Sequence, residues 1–106
     1  QVMPETGAWV AEQIGMPFSP DRLYEPEYNI HVGTWYLAYL HVEFGGNTAA
    51  ALAAYNGGQN NVHHWLRERI WDGQRQTIER IPFGETREYV RGVLRDHALY
   101  RKLYAQ

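Results

Sequence analysis

Two adjacent polar residues, Tyr55 and Asn56, follow an alanine-rich run at residues 49–54 and precede two glycines. The run predicts a helix that neighbouring backbones can approach closely, because alanine favours helix and is small. Gly57 and Gly58 predict its end, since glycine readily takes the left-handed conformation that closes a helix. A tyrosine hydroxyl and a carboxamide at a rigid helix end are suited to hydrogen bonding with a ligand. The alternative is a buried tyrosine ring beside an asparagine that only ends the helix.

Histidine could also bring chemistry, but its spacing does not indicate a metal site. No two of the five histidines are four residues apart, as in a zinc-binding helix, and the adjacent His63 and His64 point in different directions on a helix. The chain has no cysteine, which excludes disulfides, thiolate chemistry and cysteine-bound zinc. The sequence therefore predicts neither a metal nor another cofactor. The histidines are His31, His41, His63, His64 and His97.

The elements that must position the Tyr-Asn pair are predicted to be helices. Residues 27–44 carry apolar side chains, including Ile30, at spacings of three and four, with aromatic residues on a second face. A helix that is apolar over so much of its surface is predicted to be central, with neighbours on most sides. The two glycines after it predict its end, and Asn47 is a favourable N-cap for the alanine-rich helix.

Shorter helices are predicted around these two, and no β-hairpin signal occurs. The last helix, residues 86–103, carries a stripe that includes Tyr89. Residues 67–76 are polar and predict a loop, whereas Pro82 disfavours a central strand at residues 77–83, which predict an extended linker or a short turn. The expected fold class is all-α, in one domain. The remaining predicted elements are helices at residues 4–14 and 60–68 and one helical turn at 21–24.

The bulk composition fits one small globular domain of 106 residues, with 44% hydrophobic and 21% charged residues. A formal net charge of −2 disfavours a nucleic-acid binder, because such proteins usually have a basic excess. No apolar run is long enough to span a bilayer, so no transmembrane segment is predicted. Aromatic residues reach 14%, which suits a core and also suits the apolar faces of sugar rings.

Five segments in the same order resemble the lytic transglycosylases with a goose-type lysozyme-like fold. The segment Ile81-Pro82-Phe83-Gly84-Glu85-Thr86-Arg87-Glu88-Tyr89-Val90 points to the soluble lytic murein transglycosylase branch. The opening Gln1-Val2-Met3-Pro4-Glu5-Thr6-Gly7 is similar to the end of the family's Gly-Leu-Met-Gln motif and the residues after it. The other segments are Asn29-Ile30 with Gly33 and Tyr36-Leu37, then Ala53-Ala54-Tyr55-Asn56-Gly57-Gly58, and Val62-x-x-Trp65-Leu66.

The resemblance implies a lysozyme-like helical SLT domain of which residues 1–106 are the C-terminal part, incomplete at the N-terminus. It implies cleavage of peptidoglycan strands between N-acetylmuramic acid and N-acetylglucosamine, in the periplasm or cell envelope of a bacterium. The product ends in a 1,6-anhydro ring, because the sugar's own 6-hydroxyl attacks in place of water. One glutamic acid serves as acid and then as base, unlike the two carboxylates of most glycosidases.

That glutamic acid is expected to be absent from this chain. In the family it belongs to a Glu-Ser motif upstream of the Gly-Leu-Met-Gln motif, and no glutamate here is followed by serine. The chain begins at the Gln of the second motif, so we expect a further N-terminal segment to supply the acid. The chain alone is expected to be inactive and to carry the supporting part of the site.

The supporting residues are carried over from the resemblance one by one. Tyr55 matches the tyrosine whose hydroxyl bonds the catalytic carboxyl, and Asn56 matches the adjacent asparagine at the cleft wall. Gln1 matches a glutamine that contacts sugar near the cleavage point. Met3 matches a position on the cleft floor, where a flexible thioether suits a sugar face.

Two residues near the end of the chain complete the predicted site. Glu85 matches a glutamate that touches the acetamido group of muramic acid, and Tyr89, one helical turn on, would line the same subsite. For Glu85 the alternative is charge compensation at the start of a helix. Arg67, Arg69 and Arg75 are expected in a solvated loop, with contact to substrate carboxylates as the alternative.

Two other functions are compatible with these residues. The first is a non-catalytic module that binds peptidoglycan or chitooligosaccharides and keeps the cleft without its acid. The second is a helical protein-interaction module, which needs only the apolar helices.

Overall fold

The computed structural model describes residues 3–104, with the side chains of residues 3–97. This part of the chain is mainly helical and contains no strand, which confirms the predicted all-α fold class. Short connections join its helices, and two of these connections contain a 3-10 helix. The α-helices are α1 (Pro4–Ile14), α2 (Pro26–Glu43), α3 (Thr48–Gly57), α4 (Gln59–Arg67) and α5 (Gly84–Tyr104), and the 3-10 helices are Pro20–Tyr24 and Arg75–Arg80.

The connection between α4 and α5 is more helical than expected. Of the two alternatives for residues 77–83, the structure has a turn, because the 3-10 helix Arg75–Arg80 extends into them and kinks at Thr77. The carboxylate of Asp72 accepts hydrogen bonds from the Thr77 hydroxyl and the Gln74 backbone N–H. These bonds favour the charged carboxyl and lower the pKa of Asp72. Helix propensity alone does not predict a turn that is held by such a side chain.

The chain divides after Tyr39 into two compact units. In the first, α1 packs on the 3-10 helix Pro20–Tyr24 at Gly7, which is buried. A Cβ on Gly7 would lie 3.0 Å from Cε1 of Phe18 and 3.1 Å from Cδ1 of Leu23, closer than side chains normally approach. A larger residue at position 7 would therefore have to displace the side chains of Phe18 and Leu23.

Aromatic side chains of α1 and α2 form a cluster within the first unit. The ring of Trp9 lies edge-on to Trp35 and Tyr39, with centroids 5.9 Å and 5.0 Å away. The rings of Trp35 and Tyr39 stack at 5.7 Å with their planes 9° apart. Ring quadrupoles favour these edge-on and stacked geometries. Part of the high aromatic content thus packs one helix against another.

Helix α2 is buried along one stripe. Ile30 is 66% exposed and Val42 is 81% exposed, so the prediction of neighbours on most sides is wrong for the described residues. Apolar residues of α2 also occur outside this stripe, so the sequence alone does not show which face of the helix contacts its neighbours. Neither α2 nor any other helix of the described chain has the length and apolarity needed to cross a membrane. The buried stripe consists of Tyr28, Val32, Tyr36 and Leu40.

The second unit is built around α3. Its residues 49–54 are all buried, and α3 packs on both α4 and α5. The distance between packed helices depends on the side chains at the contact, so small side chains allow a close approach. Larger apolar side chains complete this core, namely Leu40, Val62, Trp65, Trp71, Ile81 and Val90.

Asn47 joins the start of α3 to the loop before the second 3-10 helix. Its Oδ1 accepts the backbone N–H of Ala50 at 3.0 Å, which confirms the predicted N-cap. Its Nδ2 donates to the carbonyl of Gly73 at 3.0 Å. Gly73 is buried and has a φ of 81°, a conformation that favours glycine. One carboxamide thus satisfies both the helix start and a buried carbonyl.

The end of α3 differs from the prediction. Gly57 is the last helical residue, and Gly58 has a φ of 98° and a ψ of 133°, so the predicted left-handed cap is wrong. The side chain of Asn61 donates to the carbonyl of Gly57 at 2.7 Å. Carbonyls in the last turn of a helix have no hydrogen-bond partner within the helix, and this bond supplies one. Gly57 is required by space, because a Cβ there would lie 2.8 Å from Oγ1 of Thr86 in α5.

Replacing Gly57 by alanine tests this close approach. We expect Gly57→Ala to lower the free energy of unfolding by about 1–3 kcal/mol, because an added methyl group overpacks the contact. Gly84→Ala is the matched control, since a Cβ on Gly84 meets nothing within 4 Å. That variant should leave stability unchanged or raise it by up to about 1 kcal/mol. Denaturant unfolding measures both, and a Gly57→Ala protein as stable as wild type would contradict the contact.

Candidate active site

The last turn of α3 displays the two polar residues that stand out in the sequence. Tyr55 is half-buried and Asn56 is exposed, whereas residues 49–54 before them are buried. Both side chains reach α5, where the ring of Tyr55 stacks on Tyr89 and the carboxamide of Asn56 bonds Thr86. The helix end is therefore fixed against a neighbour through its polar side chains as well as through its alanines.

The bond between Asn56 and Thr86 lies beside the close contact of Gly57 with Thr86. The hydroxyl of Thr86 donates to Oδ1 of Asn56 at 2.7 Å, and Thr86 is only 1% exposed. A buried hydroxyl needs a hydrogen-bond partner, and the carboxamide supplies it. The close approach at Gly57 keeps the two backbones near enough for this bond.

The stacked tyrosines have an environment that keeps them neutral. The ring centroids of Tyr55 and Tyr89 lie 6.5 Å apart, with planes 16° apart. Burial raises the pKa of Tyr55, and the pKa of Tyr89 is raised by burial and also by the charge that Tyr55 would carry. Both groups are therefore hydroxyls at neutral pH and are suited to donate a hydrogen bond to a carboxylate.

Glu85 is exposed in the first turn of α5, directly before Thr86. Residues four apart on a helix share a face, so Glu85 lies on the face of Tyr89, whose ring stacks on Tyr55. Contacts between α3 and α5 bring Tyr55, Asn56 and Tyr89 together. With Glu85, which helical spacing puts on the face of Tyr89, they form what we call the α3–α5 junction. Their roles stay predictions, and the position of Glu85 also fits charge compensation at the helix start.

Two predicted residues lie before α1. Met3 belongs to the first unit, where it is the N-cap residue of α1 and makes no side-chain capping bond. Its side chain is 68% exposed, so a ligand could contact the thioether. Gln1 lies outside the described residues.

Sequence reasoning misses Thr86 and interprets Gly57 only as a helix end. A threonine in the first turn of a helix is common and carries little signal by itself. Its hydrogen-bond partner, Asn56, is 30 residues away in the chain. Spacing within one helix therefore could not identify this contact.

His41 and His63 make local contacts. His41 Nε2 lies 3.1 Å from Oγ1 of Thr48, near the start of α3. The ring of His63 stacks on Phe44 with centroids 4.5 Å apart. Among the residues that the structure describes, no three or more His, Asp or Glu side chains form a group that could hold a metal ion.

A separate cavity of about 300 Å³ opens between the start of α3 and the second 3-10 helix. Arg75 lines this cavity, while Arg67, at the end of α4, and Arg69 are exposed, as expected for solvated arginines. None of the four junction residues lines it, so the cavity is distinct from the α3–α5 junction. The lining residues are Asn47, Thr48, Ala49, Gly73, Gln74, Arg75, Gln76 and Leu94.

Comparison with known proteins confirms the family resemblance. The family described as "Transglycosylase SLT domain" matches residues 1–78. The soluble lytic murein transglycosylase of Salmonella typhimurium is 40% identical over 111 residues, covering 100% of this chain and 17% of the relative. The protein of the same name from Escherichia coli K12 is 41% identical over 106 residues, covering 95% of this chain and 16% of the relative. The chain therefore spans about one sixth of the length of these relatives.

A solved structure agrees with these matches. The X-ray structure of an inactive mutant of the lytic transglycosylase Slt from Pseudomonas aeruginosa superposes with a TM-score of 0.79 at 39% identity. The match covers 96% of this chain and 17% of that chain. The α3–α5 junction lies partly beyond residue 78, where the family match ends, but inside the full-length match to the Salmonella relative. The chain belongs to the SLT domain family of lytic transglycosylases.

Proposed function

We propose that this chain is part of a peptidoglycan lytic transglycosylase that cleaves the β-1,4 bond between N-acetylmuramic acid and N-acetylglucosamine. The observation that carries the proposal is the α3–α5 junction, where Tyr55 and Asn56 are held against the helix that carries Glu85. Relatives named soluble lytic murein transglycosylase support the choice of substrate, since murein is peptidoglycan. A murein substrate also favours the bacterial periplasm or cell envelope as the location.

The proposed reaction uses one carboxyl group and no water. The carboxylic acid gives its proton to the glycosidic oxygen as the bond from that oxygen to C1 of muramic acid breaks. The 6-hydroxyl oxygen of the same sugar then bonds to C1, and its proton passes to the carboxylate. The product carries a 1,6-anhydro ring and the acid is regenerated, so protons and bonds balance.

We place this acid in a glutamate outside residues 1–106. The Pseudomonas structure supports an essential glutamate in the relative, because it is that of an inactive mutant in which one glutamate is replaced by glutamine. No glutamate of residues 1–106 is followed by serine, as the family motif requires. A carboxyl that acts first as an acid needs a raised pKa, which a cleft with apolar walls favours.

Tyr55 is the residue of this chain proposed to act on the acid. A neutral hydroxyl can donate to the carboxylate and hold its orientation without adding a charge. A tyrosine is protonated at neutral pH, and burial raises the pKa of Tyr55 further above that range. Its ring is held by Tyr89 and by the rigid end of α3, which limits the directions that the hydroxyl can take.

Asn56, Glu85 and Tyr89 are proposed to bind the glycan at the α3–α5 junction. Met3 and Gln1 are proposed as glycan contacts on the family resemblance alone. A glutamate carboxylate accepts hydrogen bonds and is suited to the N–H of an acetamido group. Asn56 offers a carboxamide at the exposed rim. A non-catalytic glycan-binding module would use the same residues, and only product formation separates the two functions.

The first experiment is therefore digestion of purified peptidoglycan by the protein at its natural length. Mass spectrometry of the products separates 1,6-anhydro ends from reducing ends, because the anhydro product is one water lighter. We expect anhydro ends. Glycan binding without any product would favour the binding module, and reducing ends would indicate hydrolysis.

Tyr55→Phe is expected to lower kcat about ten- to hundredfold with little change in KM. A hydrogen bond to a charged group contributes about 1.5–3 kcal/mol, and each 1.4 kcal/mol is about tenfold in rate. The alkaline limb of the kcat/KM profile, which reports loss of the acid's proton, should move to higher pH because the carboxylate loses a donor.

Tyr24→Phe is the matched control for this substitution, because Tyr24 is 80% exposed and lies in the first 3-10 helix. It makes the same chemical change at a residue that does not belong to the junction and should leave kcat and the pH profile unchanged. Unchanged turnover in Tyr55→Phe would show that the tyrosine is misassigned.

Glu85→Gln is expected to raise KM about tenfold, since a charge-assisted hydrogen bond to the sugar becomes a neutral one. Glu27→Gln is its matched control, because Glu27 also lies in the first turn of a helix, α2. If Glu85 only compensates helix charge, both variants will lower stability slightly and neither will change KM. Steady-state kinetics and thermal unfolding of both variants separate the two roles.

A further inference from the structure

We propose that Thr86 is a positioning residue, which fixes the carboxamide of Asn56 so that its N–H₂ group faces the open side of the α3–α5 junction. In that orientation Asn56 donates a hydrogen bond to an uncharged oxygen of the glycan. This inference rests on the proposed function, which supplies the glycan.

The direction of the amide follows from its bond with Thr86. The threonine hydroxyl donates and Oδ1 of Asn56 accepts, at 2.7 Å. The oxygen and nitrogen of a carboxamide diverge from the trigonal amide carbon, so an oxygen held at a buried hydroxyl turns the nitrogen away from it. Thr86 is 1% exposed and Asn56 is exposed, so the nitrogen is on the solvent side.

The hydroxyl of Thr86 is itself held by packing. A Cβ on Gly57 would lie 3.3 Å from Cγ2 and 2.8 Å from Oγ1 of Thr86, so both branches of the side chain lie close to the end of α3. A β-branched side chain has few allowed χ1 values, and close contact with a helix backbone restricts it further. The hydroxyl of Thr86 is therefore directed at Asn56 before any ligand binds.

An unsupported asparagine at a helix end could present either its oxygen or its nitrogen, because the two ends of the amide differ little in shape. In this structure the Thr86 hydroxyl donates to the carboxamide, which selects the oxygen of Asn56 for the buried side. The selected group is a donor, which matches carbonyl and hydroxyl oxygens of an N-acetylated sugar and does not match its acetamido N–H. The exposed carboxylate of Glu85, next to Thr86, is an acceptor that complements this donor.

The experiment compares steady-state kinetics on peptidoglycan for the natural-length protein and its variants at position 86. Thr86→Val keeps the shape and removes the donor, and we expect KM to rise about three- to tenfold with kcat nearly unchanged. Thr86→Ser keeps the hydroxyl and should return KM close to wild type. Thr34→Val, at an exposed position of α2, is the control for the same chemical change.

Variants of Asn56 test the route of the effect. In an Asn56→Ala background, Thr86→Val should raise KM no further, because the group that it positions is gone. Asn56→Asp keeps the oxygen that Thr86 bonds but replaces the nitrogen by oxygen, so it should raise KM as much as Asn56→Ala. Circular dichroism melting of each variant checks that it is folded.

The outcomes separate this inference from the proposed function. An active wild type whose KM is unaffected by Thr86→Val, or is raised equally by Thr86→Ser, overturns the positioning role alone. Additive effects of Thr86→Val and Asn56→Ala, or a wild-type KM in Asn56→Asp, also overturn it. A wild-type protein that neither cleaves nor binds peptidoglycan overturns the proposed function and this inference together.

Discussion

The contact between the end of α3 and the start of α5 is the constraint on which the candidate site depends. At Gly57 the helices leave no room for a Cβ, and the hydroxyl of Thr86 occupies that space. The turn of α3 that ends there carries Tyr55 and Asn56, while Glu85 directly precedes Thr86. A contact between the backbone of α3 and the side chain of Thr86 therefore helps to set the relative positions of side chains that are 30 residues apart. The alanines of α3 allow this approach along the rest of the helix.

The chemistry of the junction follows from its partial burial. The tyrosine rings are packed against each other, and burial raises the pKa values of both hydroxyls, so they remain neutral donors. Thr86 is fully buried and orients a neighbour, whereas Asn56 and Glu85 reach solvent. The junction thus combines rigid inner groups with accessible outer groups, which is the arrangement that ligand recognition needs.

Much of the fold could be predicted because it is encoded in local patterns. The alanine run, the glycines after α2 and the N-cap at Asn47 each act within a few residues, and the structure agrees with them. The predictions of a left-handed cap after α3 and of neighbours on most sides of α2 are wrong, because a glycine does not fix its own ψ and periodicity does not show which apolar side chains find a partner. A glycine needed for space and one needed for a positive φ look the same in a sequence.

The site could be predicted only in part, because its contacts join residues that are far apart in the chain. Tyr55 and Asn56 could be identified as a polar pair at a helix end, but their partners on α5 could not be derived from spacing. Glu85 and Tyr89 come from the family resemblance. Thr86 has neither a charge nor an unusual spacing, and only its burial against Gly57 shows its importance.

A crystal structure of the protein at its natural length with a bound N-acetylated glycan would test the central claim most directly. We predict that the glycan lies at the α3–α5 junction, with Nδ2 of Asn56 donating to one of its oxygens. We also predict a glutamate carboxyl from outside residues 1–106 within hydrogen-bond distance of the Tyr55 hydroxyl. A glycan bound elsewhere, or a Tyr55 hydroxyl with no such carboxyl beside it, would contradict the proposed site.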